Sequence, residues 1–129
     1  MTAADPPADV VEQYRLAESL VSKRRPLEAL RELRPVLDAE PDAQSVQLLA
    51  GRAYLQSAQL RRAEEAFLRV LEHNPSDHYA RFALGRTLQR QSRLNEARTQ
   101  FAMAVAMNPT PDYQEALNEV RMRLAARKE

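Results

Sequence analysis

A period of 34 residues constrains this chain more tightly than any other feature of it. Ala17, Gly51 and Gly85 stand one period apart, and so do Ala29, Ala63 and Ala97. Leu33, Phe67 and Phe101 follow the same spacing, as do Pro41, Pro75 and Pro109. The large apolar columns Leu20/Tyr54/Leu88 and Leu37/Leu71/Val105 keep the register. Six columns recur three times with no insertion, which is how a stack of equal structural units is written in sequence. A chain of 129 residues has room for one domain, in which neighbouring units share a continuous core.

Within each unit the apolar spacing is helical. In the second, Leu48, Leu49, Tyr54 and Leu55 belong to one helix, and Leu60, Ala63, Phe67, Val70 and Leu71 to the next. Ser57-Ala58-Gln59 is the short polar break between them. Each unit therefore reads as a helix of about 14 residues, a tight turn and a second helix of similar length. Composition agrees, since aromatics are 5%, glycine occurs twice and tryptophan is absent, whereas turn-rich β architectures use more of them. The column prolines stop the second helices because proline cannot donate the next backbone hydrogen bond. Asp42, Ser76 or Asp77, and Asp112 are expected N-caps, and Asp9 with Glu12 reads as a capping box opening the first helix. Pro35 lies late in a second helix, which it is expected to kink or shorten.

The small columns describe packing. A mid-helix glycine costs about 1 kcal/mol relative to alanine, so Gly51 and Gly85 imply that a neighbouring backbone comes too close for a side chain. The Ala29/Ala63/Ala97 column would face them, with the Leu33/Phe67/Phe101 knob alongside. After Pro111 the pattern changes. Tyr113, Ala116, Leu117, Val120 and Leu124 fall on one face of a single amphipathic helix, suited to cover the open end of a stack. The expected organisation is a flexible arm over 1–9, units over 10–43, 44–77 and 78–111, and a capping helix over 112–129. That makes seven helices and an all-α fold.

These columns carry a resemblance. A frame of small, Tyr/Leu, Ala, Phe/Leu and Pro positions in a 34-residue helix-turn-helix is similar to the tetratricopeptide repeat (TPR) family. The second and third units match best, through Ala50-Gly51, Tyr54, Ala63, Phe67 and Pro75, then Leu84-Gly85, Ala97, Phe101 and Pro109. The first has Ala17 for glycine and Leu33 for phenylalanine, and the family's early tryptophan is replaced by Gln13, Gln47 and Arg81. The resemblance implies a right-handed superhelical array of hairpins, an α-solenoid, whose first helices line a concave groove that binds peptide segments of partner proteins.

That geometry would assign Tyr14, Arg15, Glu18, Val21 and Ser22 to the groove from the first unit. Ser45, Leu48, Leu49, Arg52, Leu55 and Gln56 would come from the second, and Tyr79, Phe82, Ala83, Arg86, Gln89 and Arg90 from the third. The residues expected to carry binding are Tyr14, Glu18, Leu48, Arg52, Tyr79, Phe82, Arg86 and Arg90. They combine an apolar-aromatic row with a basic series, which suits a partner segment bearing apolar anchors and nearby acids. A TPR subclass clamps the terminal carboxylates of chaperone tails with Lys and Asn. The matching positions are Tyr14, Glu18, Leu49, Tyr79 and Ala83, which cannot make that clamp.

Other chemistry finds little support. Without cysteine there is no disulfide, thiolate nucleophile or Cys-based metal site. His73 and His78 flank a turn, which spoils ligand spacing on one helix face, so they read as solvated turn residues. Ser76-Asp77-His78 has the letters of a triad, but adjacent residues cannot reach triad geometry. There is no Gly-rich phosphate loop and no HExxH. No catalytic residue, metal site or cofactor is expected. The net charge of +1 disfavours nucleic acid, and the clusters at Lys23-Arg24-Arg25, Arg61-Arg62 and Arg121/Arg123/Arg127/Lys128 are interleaved with acids, as on a solvated helix surface. With no apolar stretch long enough to span a bilayer and no secretory leader, a cytoplasmic location is expected. The sequence thus points to a non-enzymatic adaptor for one or more cytoplasmic proteins. A self-associating unit, such as a homodimer through the stack ends or the terminal helix, is the alternative, and a nucleic-acid-binding accessory protein acting through the arginine clusters ranks behind it.

Overall fold

The computed structural model describes residues 7–127. Among the described residues there are seven α-helices and no strand: α1 Pro7–Ser22, α2 Pro26–Ala39, α3 Gln44–Gln56, α4 Leu60–His73, α5 His78–Arg90, α6 Leu94–Met107 and α7 Pro111–Arg127. They pack as consecutive antiparallel hairpins, α1/α2, α3/α4 and α5/α6, with α7 against α6. The all-α expectation with seven helices holds.

Each hairpin closes by the same device. Arg24, Ala58 and Ser92 adopt the left-handed region with φ of 62°, 60° and 61°, one period apart. The next amide in each case donates five residues back, from Arg25 to the Leu20 carbonyl, Gln59 to Tyr54 and Arg93 to Leu88, at 2.8 to 2.9 Å. Arg24, Ala58 and Ser92 themselves donate to Val21, Leu55 and Gln89. This is the Schellman closure, a place glycine usually takes because a Cβ is strained there. Ala58→Gly is accordingly expected to raise stability by about 0.5 kcal/mol, the relieved strain less the added entropy of the unfolded glycine. Urea unfolding would read it, and a loss of stability would show that the turn carries no strain.

The helix starts differ from expectation at three places. Asp77 caps α5, its Oδ1 accepting from the Ala80 amide at 2.9 Å. The residue before α3 is Ala43, with no side-chain cap, and Asp42 instead stands 3.8 Å from Arg69. At α7 the Tyr113 amide donates to Thr110 Oγ1 at 3.3 Å, which leaves Asp112 inside the first turn. Helix α1 begins at Pro7, so Asp9 lies in its first turn and no capping box starts there; the carboxylate is still favourable beside the positive helix end. The expected arm is thus helical from Pro7 onward, and its first six residues lie outside the described residues. Pro35 does not shorten α2, which runs unbroken to Ala39. Its ring is exposed, and buried Leu33 and Val36 on either side hold the turn through the missing hydrogen bond.

The core follows the columns. Ala17, Ala29, Ala63, Ala97, Leu33, Phe67 and Phe101 are all 0% exposed. The glycines serve a side chain rather than a backbone, which corrects the sequence reading. A Cβ on Gly51 would meet Phe67 Cε1 at 2.5 Å, and one on Gly85 would meet Phe101 Cε1 at 2.5 Å. The first unit has a smaller knob, Leu33, in the same core cluster as Ala17, so the methyl that the other units omit is accommodated.

Curvature comes from unequal approach. Helix α1 touches α3 and α3 touches α5, while the second helices make no comparable contact with one another. The first helices therefore converge on a concave side and the second helices splay on the outer side.

Candidate functional site

The concave side presents one face each of α1, α3 and α5. Tyr14 on α1 is half-buried, and its hydroxyl donates to the Ser45 carbonyl at 3.5 Å, a long tie to the start of α3. Glu18 is exposed one turn further on. Leu48 is half-buried against the core cluster of the later units. Arg52, half-buried on the middle helix, makes no hydrogen bond or ion pair among the described residues. Burial raises the Tyr14 hydroxyl above the ordinary phenol value, Glu18 adds to this, and Arg52 opposes it. Tyr79 is raised by burial in the same way, with Arg52 again opposing. Arg52 thus lies within electrostatic reach of tyrosines on both neighbouring helices, and both phenols stay protonated donors at neutral pH.

On α5, Tyr79 and Phe82 have ring centroids 6.4 Å apart. Phe82 stacks on Tyr113 of α7 at 4.6 Å and stands 5.8 Å from Phe101. Arg86 lies over the Phe82 ring, its Cζ 5.2 Å from the centroid, a cation–π contact that leaves the guanidinium edge facing solvent. No carboxylate among the described residues pairs with it.

Several expected groove residues lie elsewhere. Val21, Leu49 and Ala83 are core, at 0%, 2% and 3% exposure, and Gln89 is buried at 7%. Arg90 is a strut: its Nη1 donates to the Leu55 carbonyl at 2.8 Å. Gln56, one period earlier, donates from Nε2 to the Val21 carbonyl at 3.1 Å. The same position in successive units therefore ties onto the end of the preceding first helix, adding a side-chain hydrogen bond to a carbonyl that already accepts the turn's left-handed amide.

The site also includes groups that the sequence reading placed in solvent. His78 is half-buried, with Nδ1 2.9 Å from the Tyr113 hydroxyl and its ring 5.6 Å from the Tyr113 ring. It joins the third hairpin to α7 and is no solvated turn residue. His73 is exposed, its Nδ1 3.1 Å from the Arg69 carbonyl. No cluster of three or more His, Cys, Asp or Glu among the described residues could hold a metal ion. No described helix is long and apolar enough to cross a membrane.

Curved stacks of helical hairpins with a concave face of convergent first helices define the α-solenoid class of repeat proteins. The tetratricopeptide repeat family matches residues 14–57 and 48–112, and the chain belongs to that family. No curated protein matches it in sequence. Among solved structures, the first TPR of Spaghetti (RPAP3) bound to the HSP90 peptide SRMEEVD is 16% identical with a TM-score of 0.85, over 96% of this chain and 99% of that one. The second TPR domain of human RPAP3, in complex with the HSP70 peptide SGPTIEEVD, is 15% identical with a TM-score of 0.81, over 91% and 98%. The Sgt2 TPR domain from Aspergillus fumigatus is 14% identical with a TM-score of 0.86, over 100% and 88%. At these identities the likeness is one of fold.

Proposed function

We propose that this chain is a non-enzymatic adaptor that holds a partner polypeptide segment on its concave face. The observation that carries the reading is the pair Arg52 and Arg86. They stand one period apart on adjacent first helices, without carboxylate partners among the described residues, beside Tyr14, Leu48, Tyr79 and Phe82. Such guanidiniums offer a planar fork to a carboxylate, and the aromatic row offers contact area at low entropic cost. A segment of the partner with apolar anchors and nearby acids fits both. The peptides held by two of the similar structures are acidic, which accords with the preference. The terminal-carboxylate clamp of the chaperone-binding subclass is not reproduced, since Leu49 and Ala83 at its positions are core.

The test is a titration of peptides carrying apolar anchors with either acidic or basic neighbours. Acidic peptides are expected to saturate and to perturb Tyr14, Tyr79 and Phe82. Arg52→Glu with Arg86→Glu is expected to weaken them by about tenfold to a hundredfold, with the helical circular dichroism unchanged. Arg90→Ala is expected to leave affinity unchanged and to cost about 0.5–1 kcal/mol of stability through the lost hydrogen bond to the Leu55 carbonyl. Unaltered affinity in the charge-reversed pair would remove the concave face from the reading. Light scattering over a concentration series separates the adaptor from a self-associating unit, because an adaptor remains monomeric at micromolar concentration.

A further inference from the structure

The outer side carries a second surface that the concave face does not explain. Where α2 and α4 splay apart over α3, a furrow opens in two connected parts of about 590 and 400 Å³, sharing Leu37, Tyr54 and Arg62. Its origin is in the columns. Ala50 and Ala66 line it, and the residues one period later are Leu84 and Gln100. At that later junction Arg81 bridges the gap, donating to Gln100 Oε1 at 3.1 Å and to the Pro75 carbonyl. Gln47, in the equivalent place, reaches only the Pro41 carbonyl. The first junction is therefore left open where the second is filled.

The furrow's lining is unusual for a solvated groove. Leu27 is 63% exposed on the α2 wall and Leu68 is 45% exposed on α4. The smaller part is lined by Arg31, Arg34 and Arg62 together with leucines and Tyr54, and by no carboxylate. None of those three arginines has an ion pair among the described residues; Arg62 bonds only to Gln59. By contrast Arg69 in the larger part, and Arg25 and Arg93 outside the furrow, each face an acid. The larger part is mixed, with Arg69, Glu65 and Glu72. Three guanidiniums lining one recess beside exposed leucines favour an anion among them.

We infer that this furrow docks an amphipathic helix of a partner protein, with its leucine-like stripe on Leu27, Leu30 and Tyr54 and its acidic end over Arg31, Arg34 and Arg62. A helix is the fitting occupant for a physical reason. The walls are themselves helices whose mid-segment backbone groups are already paired, save the Arg31 carbonyl that faces the missing amide of Pro35. An extended strand would therefore find no ladder of backbone partners, whereas a helix brings its own hydrogen bonds. Helices α2 and α4 each have 14 residues, so the furrow offers about 21 Å, or four turns, of docking length. The surface is separate from the concave face, and the two can be occupied together.

The probe is a helix-locked synthetic peptide of about four turns, with leucines at helical spacing and glutamates at one end, compared with the same peptide bearing lysines. Methyl-labelled protein titrated with the acidic peptide is expected to show saturable shifts at Leu27, Leu30 and Leu37, and the lysine peptide none. Arg34→Glu with Arg62→Glu, both at exposed positions, is expected to weaken binding roughly tenfold or more. Leu27→Glu is expected to do the same, and Arg52→Glu with Arg86→Glu to leave it unchanged. Folding of each variant is checked by circular dichroism. Shifts confined to the concave residues, indifference to both furrow variants, or no saturation at millimolar peptide would each overturn the inference and leave the concave reading as it stands.

Discussion

Phe67→Ala is expected to lower the free energy of unfolding by about 3–5 kcal/mol, which urea unfolding followed by circular dichroism would measure. The ring is fully buried, and it occupies the volume that a Cβ on Gly51 would otherwise enter. Nothing nearby can close that void without moving α3 against α4. Since domains of this size have about 5–15 kcal/mol in total, the variant should be marginal. Gly51→Ala supplies the complementary measurement. In the native background the added methyl meets the ring, an overpacking cost of about 1–3 kcal/mol set against about 1 kcal/mol of helix propensity gained. Combined with Phe67→Leu it recreates the Ala17 and Leu33 pair of the first hairpin, where the methyl fits. The two substitutions should therefore couple favourably by about 1 kcal/mol or more. A Phe67→Ala cost below 1 kcal/mol, or no coupling, would show that this ring is not the knob that sets the helix spacing.

That pair also shows why so much of the fold was legible. The period, the helix count and the core columns all express one recurring contact between a small residue and a large one, and such contacts write themselves into sequence at fixed intervals. What the columns could not show was the identity of the group approaching each glycine, because ring and backbone exclude a side chain alike. The turns were legible as breaks but not in conformation, since Arg24, Ala58 and Ser92 lack the glycine that would announce a left-handed residue. Caps were read from residue type, and type misled where Thr110 or no side chain at all does the capping.

For the candidate site the division is sharper. Its rows on α1, α3 and α5 followed from the family frame, but burial separated them only in three dimensions. Leu49 and Leu48 are neighbours in sequence, yet one is core and the other half-exposed. Arg90 belongs to the same basic series as Arg52 and Arg86, and nothing in the sequence distinguishes a strut from a free guanidinium. His78 looked solvated because its partner Tyr113 lies 35 residues away on a helix whose docking angle no periodicity specifies. The outer furrow was visible only as a difference between columns, Ala50 against Leu84 and Ala66 against Gln100, and its meaning depends on the splay of α2 from α4.

Ending the chain after Asn108, which removes α7, is expected to strip protection from the third hairpin while the first two retain theirs in hydrogen exchange. Helix α7 buries Tyr113, Leu117 and Val120, each fixed against the third hairpin and each contributing about 1.5–3 kcal/mol of apolar burial. The loss exceeds that helix, because Phe82 loses its stacking partner and His78 its hydroxyl partner at the same time. In a stack where each unit leans only on its neighbours, the damage should stay at the exposed end and fade toward α1. The midpoint of thermal unfolding should fall by about 10 °C or more, and the aromatic end of the concave face should lose its shape with it. Uniform loss of protection across all three hairpins would mean that the array folds as one indivisible unit. Unchanged protection in α5 and α6 would mean that α7 is an ornament rather than the lid on the core, and the stacked Phe82 would then need another explanation for its fixed orientation.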